Sequence, residues 1–262
     1  MCPKATMLCK AKSLRGYKLN GLDGEIGGVK EFYFDDKHWT VRYLVADTGN
    51  WLSERQVLIS PHALTAISPE DQNISIKLTK QQIEDSPSLL SDLPVSKQFE
   101  DAYYGYYGWP VYSDSPYEWG SYPHLVPISG ENLPPSSLDN KWDSHLRSTN
   151  AVSGYHIQAS DGEVGHVEDF LIDDDLWTIR YLVVDTRNWW PGKRILISPQ
   201  WIEQVNWDDS RVLVHLTQEL IKQAPEYSDE TVVTREYEAA LHRHYYRQGY
   251  WVNEPAAKAM VL

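Results

Sequence analysis

One string occurs twice in this chain: WTVRYLVADTGNW from Trp39 to Trp51, and WTIRYLVVDTRNW from Trp177 to Trp189. The match extends well beyond it. Gly16 to Pro87 aligns with Gly154 to Pro225 without a gap, at a constant offset of 138 positions. Roughly two fifths of the paired positions are identical, far above chance and the mark of an internal duplication. A chain of 262 residues therefore reads as two small units rather than one large domain. Each repeat is short enough that folding buries only about 60% of its unfolded surface. A single copy is marginal, and fusing two copies with the aromatic-rich segments after each is a way to gain core.

Within each copy the signals are those of short strands. Asp23-Gly24 and Asp161-Gly162 sit between alternating segments and predict tight hairpin turns, because Gly accepts the positive φ such turns demand. Asp35-Asp36-Lys37 and Asp173 to Leu176 are the second turns. The repeated string follows with period two. Trp39, Val41, Tyr43 and Val45 fall on one face, and Thr40, Arg42, Leu44 and Ala46 on the other. The second face is also partly apolar, which predicts a central strand covered on both sides; its β-branched and aromatic residues suit a pleated surface. Gln56 to Ser60, Ala63 to Ile67 and Ile74 to Leu78 continue as strands, and a helical turn runs from Thr79 through Ile83 to a stop at Pro87. The second copy repeats the order, with Trp177, Ile179, Tyr181 and Val183 as the core face of its central strand. Short strands at regular spacing, with no βαβ spacing, predict a mainly β fold: two tandem small antiparallel β-barrels, each followed by a short amphipathic helix.

The helices are read from a second aligned pair of segments. Val95, Phe99, Tyr103 and Tyr107 recur at i, i+4 spacing, as do Val233, Tyr237, Leu241 and Tyr245. The expected organisation is a flexible lead over 1–12, repeat one over 13–87, a helix over 94–107 and a Tyr- and Pro-rich linker over 108–148. Repeat two then covers 149–225, a second helix 229–247 and a tail 248–262. A connection as long as 108–148 is usually a linker or a binding segment.

The DGE(I/V)G turn, the D-D-x-x-W-T-(V/I)-R-Y-L-V-x-D-T strand and the (V/I)-L-I-S-P strand end together resemble the PRC-barrel family. That family takes its name from the cytoplasmic barrel of the photosynthetic reaction-centre H subunit and includes the C-terminal domain of the ribosome maturation factor RimM. The resemblance covers both repeats. Pro94-Val95-Ser96 and Tyr106-Tyr107-Gly108-Trp109-Pro110 are similar to bacterial proteins carrying two such barrels and little else. The resemblance implies a fold, and folds of this kind host many functions. H subunits carry a spanning N-terminal helix and RimM a further domain ahead of its barrel. No run here approaches the roughly 18 apolar residues of a spanning helix, and the lead has no apolar core of a secretory signal.

Charge and motif content narrow the function classes. A formal net charge of −13 and a pI near 5.1 oppose nucleic-acid binding, which needs clustered Lys and Arg, and docking on anionic lipid. Cys2 and Cys9 are the only cysteines and imply no disulfide framework. Asp35-Asp36 and Asp173-Asp174-Asp175 lack the Gly-centred ligand spacing of a cation loop and read as turn residues. Asp47 and Asp185 are expected to bond the backbone of the next loop. Arg42 and Arg180 are expected in structural ion pairs, with a contact between barrels as the alternative. His242 and His244 lie two apart, on different faces of a helix, and no His/Cys set has metal spacing. Neither a nucleophile–base arrangement nor a phosphate-binding loop is present.

We therefore expect no catalytic residues, no metal and no cofactor, and a non-catalytic soluble protein-interaction or assembly module with an unidentified protein partner. Localisation is expected to be cytoplasmic, without membrane insertion and with peripheral association at the inner membrane left open, for instance beside a photosynthetic or electron-transfer complex. Modulation of electron or proton transfer in the manner of an H subunit, and ribosome assembly in the manner of RimM, are the alternatives that the resemblance carries, the acidic balance opposing the second. An uncharacterised enzyme is the third alternative, opposed by the missing catalytic sets. The two barrels are expected to form a pseudo-dimer within one chain. The candidate partner-binding residues are Asn50, Trp51, Asn188, Trp189 and Trp190 after the central strands, with Tyr106, Tyr107 and Trp109 after the first helix. Tyr and Trp combine an apolar ring with a polar tip and are favoured at interfaces.

Overall fold

The structure, a computed structural model, describes residues 7–49, 52, 56–87, 97–109, 145–186 and 192–252. It is mainly β, and it divides into two units, each built on one repeat. The first unit comprises Ala11–Thr149 and Asp174–Thr178; the second comprises Met1–Lys10, Asn150–Asp173 and Ile179–Leu262.

In the first unit the strands are β2 (Lys18–Gly21), β3 (Gly24–Asp35), β4 (Thr40–Asp47), β5 (Gln56–Ile59), β6 (Leu64–Ser68) and β7 (Asn73–Ile76). They hydrogen-bond in the order β5-β4-β3-β2-β7-β6, and β8 (Leu146–Ser148) adds to β3 as a seventh. In the second unit the strands are β9 (His156–Ala159), β10 (Gly162–Asp173), β11 (Ile179–Asp185), β12 (Arg194–Ile197), β13 (Ile202–Asn206) and β14 (Arg211–Val214). Their order is β12-β11-β10-β9-β14-β13, and β1 (Leu8–Lys10) adds to β10.

Three features differ from the expectation. The meander is not wholly antiparallel, because β7 enters beside β2 in the same direction after four intervening strands, as β14 does beside β9. Leu8–Lys10, inside the segment read as a lead, form a strand whose partner is β10. Its equivalent at the same offset, β8, pairs with β3. Each unit thus takes its seventh strand from the residues just ahead of the other repeat, a pairing that leaves no periodicity in three residues. Finally, Trp39 and Trp177 are not strand residues. They close the preceding turns with φ of 56° and 53°, in the left-handed region that costs a non-glycine residue roughly 1–2 kcal/mol. Trp39 remains core, as expected, stacking on Phe34 at 5.1 Å. Trp177 is buried too, but in the first unit, 6.3 Å from Phe32, and not in the core of the second as its place in the repeat predicts.

The repeated string supplies β4 and β11, interior strands that lie one in from the β5 and β12 ends of each sheet rather than at its centre. From Thr40 to Ala46 every residue is buried, and the same holds from Ile179 to Asp185. Cover on both faces is what the mixed polarity of the string predicts. The second Gly of the DGE(I/V)G turn has its own cause. A Cβ on Gly27 would stand 2.0 Å from the Asp47 carbonyl oxygen, and one on Gly165 2.0 Å from that of Asp185. No side chain fits where the hairpin crosses the end of the central strand.

Each unit then carries its helices. Lys80–Glu84 (α2) is started by Thr79 with a full capping box to Gln82. Lys97–Tyr107 (α3) is the longer helix of the first unit, and Arg235–His244 (α6), capped by Thr234, that of the second. Thr149–Val152 (α4) and Gln218–Lys222 (α5) are single turns, as is Ala11–Leu14 (α1). Residues 110–144, the bulk of the expected linker, lie outside the described residues.

Candidate functional site

Among the described residues, the most organised polar chemistry lies where the longer helix meets the strand of the repeated string, and it is built twice. In the first unit, Glu100 of α3 is buried. It accepts a hydrogen bond from the Tyr43 hydroxyl at 2.9 Å and pairs with the Arg42 guanidinium. Arg42 also lies 3.9 Å from Asp35, whose other oxygen accepts the backbone N–H groups of Lys37 and His38 at 3.0 and 2.9 Å. In the second unit Glu238 of α6 occupies the equivalent place. It accepts from the Tyr181 and Tyr250 hydroxyls at 3.0 and 2.7 Å, and Arg235 reaches its second oxygen at 3.0 Å. Arg180 forks onto Asp173 at 3.0 and 2.8 Å and lies 4.1 Å from the Tyr250 ring.

These arrangements follow from a break in the alternation of the string. Strict alternation would send adjacent Arg42 and Tyr43 to opposite sides, but the register of β3 on β4 shifts between Tyr33 and Phe34. Arg42 is therefore the extra residue of a bulge, and both side chains reach Glu100. A buried guanidinium requires an anion, and Asp35 and Glu100 provide two. Arg42 and Arg180 are therefore in ion pairs inside their own units, the first of the two expectations above. Asp47 behaves as expected as well, its side chain accepting the Gly49 N–H at 2.9 Å. Asp36 is more than a turn residue: it holds His145 at 2.8 Å and Arg147 at 2.9 Å, which fastens β8.

Burial pushes the phenols of Tyr43, Tyr103 and Tyr181 up, and the neighbouring Glu100 and Glu238 charges add to the rise for Tyr43 and Tyr181. They remain protonated and act as hydrogen-bond donors. Burial also pushes His242 down. Its Nε2 lies 3.0 Å from the Tyr181 oxygen and its Nδ1 2.9 Å from the Gln248 carbonyl. What such a set can do chemically is hold a helix: a carboxylate, an arginine and tyrosines in mutual bonds fix one register of helix on sheet.

Of the candidate partner-binding residues, Asn50, Trp51, Asn188, Trp189 and Trp190 lie outside the described residues. The other three come together. Tyr106 and Tyr107 make an edge contact at 4.8 Å, and Tyr107 stacks on Trp109 at 4.4 Å and 13°. Both tyrosine hydroxyls donate to the Gln82 carbonyl, at 3.0 and 3.4 Å, and so tie α3 to α2. Trp109 also lies 5.8 Å from His62, which burial and the Lys77 charge push down to about 4. Tyr107 and Trp109 are half-buried packing residues, whereas Tyr106 is exposed.

Glu100, Glu238 and His242 were not singled out as site residues from the sequence. The signal was present. Glu100, Tyr103, Tyr104 and Tyr107 lie at i, i+3, i+4 and i+7, as do Glu238, Leu241, His242 and Tyr245. A carboxylate inside an otherwise apolar stripe, at the same point of both copies, marks a buried anion that needs a cation nearby.

Among the described residues, no group of three or more His, Cys, Asp or Glu could hold a metal ion. Among the same residues no helix is long and apolar enough to cross a membrane, which leaves strands unaddressed. No curated protein matches the chain. The PRC-barrel domain family matches residues 10–83, the span that holds β2 to β7 and α1 and nearly all of α2. Its strand order recurs in the second unit. The chain thus carries a PRC-barrel domain at residues 10–83 and builds the same sheet a second time.

Proposed function

We propose that the protein is a non-catalytic interaction or assembly module whose ligand is another protein. The observation that carries this reading is the twofold use of the same buried set. Asp35, Arg42, Tyr43 and Glu100 bind one another. In the second unit Asp173 pairs with Arg180 and Tyr181 with Glu238, the two pairs meeting at Tyr250; each set fastens a helix to a sheet. Groups that could serve proton transfer are engaged in architecture, and the aromatic side chains of α3 continue from that core to the surface at Tyr106. The finer placement, peripheral to a photosynthetic or electron-transfer membrane complex, rests on family resemblance.

The test is affinity purification of the full chain from its native cells. We expect a protein recovered reproducibly and in stoichiometric amount. Its recovery should fall with Tyr106→Ala, which leaves the far-ultraviolet circular dichroism unchanged. Repeated purifications without a common partner would sink the reading. Fractionation of the same cells tests the finer placement, which requires the protein to follow the membrane fraction at low salt.

A further inference from the structure

The two long helices end in the same way with different residues. At the end of α6, Tyr246 N–H donates to the Arg243 carbonyl at 3.1 Å and Arg247 N–H to the His242 carbonyl at 2.9 Å. At the end of α3, Gly108 N–H donates to Gly105 at 3.3 Å and Trp109 N–H to Tyr104 at 3.0 Å. Both are Schellman motifs, whose turning residue adopts left-handed φ. Gly108 does so at 67°, with no Cβ to oppose it; Tyr246 does so at 54°.

Trp39 and Trp177 carry comparable strain, but their rings are buried. Tyr246 is 87% exposed, so packing inside the unit does not offset the conformation. Gln72 and Ser210 hold the same conformation in hairpin turns, and the Schellman bonds keep the Tyr246 backbone there as well. It is a large aromatic ring left exposed at such a position that points to a use outside the fold. The residues beside it agree. Arg243 and Arg247 are exposed on either side of it in sequence, one turn of helix and one residue away. Arg247 donates to the His215 carbonyl at 3.2 Å, which holds its guanidinium in place, and His215 itself faces Glu203 at 3.7 Å. Tyrosine and arginine are the residue types that most often dominate binding energy at protein interfaces.

We propose that Tyr246, with Arg243 and Arg247, is a docking surface for an acidic segment of a partner protein. The ring covers the apolar part of the segment, and the guanidinium groups take its carboxylates, which arginine accepts in forked geometry. The net charge of −13 opposes nucleic acid or an anionic bilayer, each of which spreads many phosphates over a wide surface. A short acidic segment meets the local sign instead, because at physiological salt fields decay over about 8 Å. The inference rests on the reading of the protein as an interaction module but uses a surface distinct from Tyr106.

The test uses the full chain and a fluorescent random copolymer of glutamate and tyrosine as probe, followed by anisotropy. We expect binding that weakens about tenfold or more in the Arg243→Glu, Arg247→Glu double variant and several-fold in Tyr246→Gly. Tyr246→Gly should also hold or raise the melting temperature, by roughly 2–4 °C, since glycine suits the turning position. Tyr246→Asn, which also tolerates left-handed φ, repeats the measurement with a different side chain. Failure of the copolymer to bind overturns the inference, as does unchanged binding by both Tyr246 variants. Preferential binding of a single-stranded oligonucleotide, or self-association in sedimentation that Tyr246→Gly abolishes, overturns it in favour of another occupant. Recovery of a partner through Tyr106 is read separately, so either result stands without the other.

Discussion

The two units solve one problem with overlapping residue sets. Asp35 and Asp173, Arg42 and Arg180, Tyr43 and Tyr181, and Glu100 and Glu238 are the same residues at the same offset. Their neighbours are not. Tyr104 stands where the second unit has His242, Tyr103 where it has Leu241, and Ala63 where it has Trp201. Both units still pack a tryptophan against the equivalent tyrosine. In the second, Trp201 leaves the turn after β12 and meets Tyr245 at 4.6 Å; in the first, Trp109 returns from the end of α3 and stacks on Tyr107 at 4.4 Å. The charged set therefore behaves as the part that fixes helix on sheet, while the filling can be supplied from another point of the chain. Volume in a core is exchangeable as long as it is occupied. A buried ion pair is not, because removing one partner strands the other.

The sharpest way to break this comparison is to remove the carboxylates one at a time. Glu100→Ala leaves Arg42 and the Tyr43 hydroxyl in a buried site, whereas Glu238→Ala leaves the buried Tyr181 and Tyr250 hydroxyls without their acceptor and frees Arg235, which is exposed. The first should cost about 3–5 kcal/mol, the usual loss when one member of a buried pair is deleted, and the second about 1–3 kcal/mol, the loss for buried hydroxyls left unsatisfied, both read as a shift in the urea midpoint. If one substitution is silent, the two sites are not equivalent and the shared residues reflect ancestry alone.

The next effect is smaller and belongs to the first unit. The Tyr103 hydroxyl donates to the Leu58 carbonyl at 2.9 Å and accepts the Ser60 N–H at 3.1 Å. The second unit has Leu241 there and manages without the hydroxyl. Tyr103→Phe should cost about 1–3 kcal/mol, because it leaves buried backbone groups short of a partner. A neutral result in urea unfolding would place Tyr103 with the exchangeable filling.

What the sequence makes legible follows from the range over which each interaction acts. The central strands, the capped turn at Thr79 and the apolar face of α6 depend on residues within a few positions of one another, and period and turn chemistry display them. Trp39 was legible as core but not as a turn residue, since alternation assigns a face and says nothing about where the strand begins. The pairing of β1 with β10 joins residues far apart in the chain, and three residues carry no pattern that names a partner. Glu100 and Glu238 fall between these cases. Their burial can be read from the helical stripe, but Arg42 and Tyr43 become their partners only when the helix lies across the strand.

A last comparison turns on protonation. His62 follows Pro61 in the turn that ends β5, and the second unit has Gln200 at the equivalent position. Burial, with the Lys77 charge, lowers His62 to about 4, whereas an unfolded histidine titrates near 6.5. Between those values the unfolded chain binds the proton that the folded chain resists. The stability gained from keeping His62 neutral is therefore complete above about pH 6.5 and is lost as pH falls toward 4. His62 is only half-buried, so solvent screening leaves the effect well below the full linkage value. Glutamine does not titrate, and His62→Gln should flatten the fall in melting temperature over that window while changing little at pH 7.5. The reverse exchange, Gln200→His, should steepen it if the turn in the second unit excludes water as the first one does. A His62→Gln profile parallel to that of the unaltered chain would mean that the ring is hydrated in solution, and that Trp109 does not close over it as its 5.8 Å contact requires.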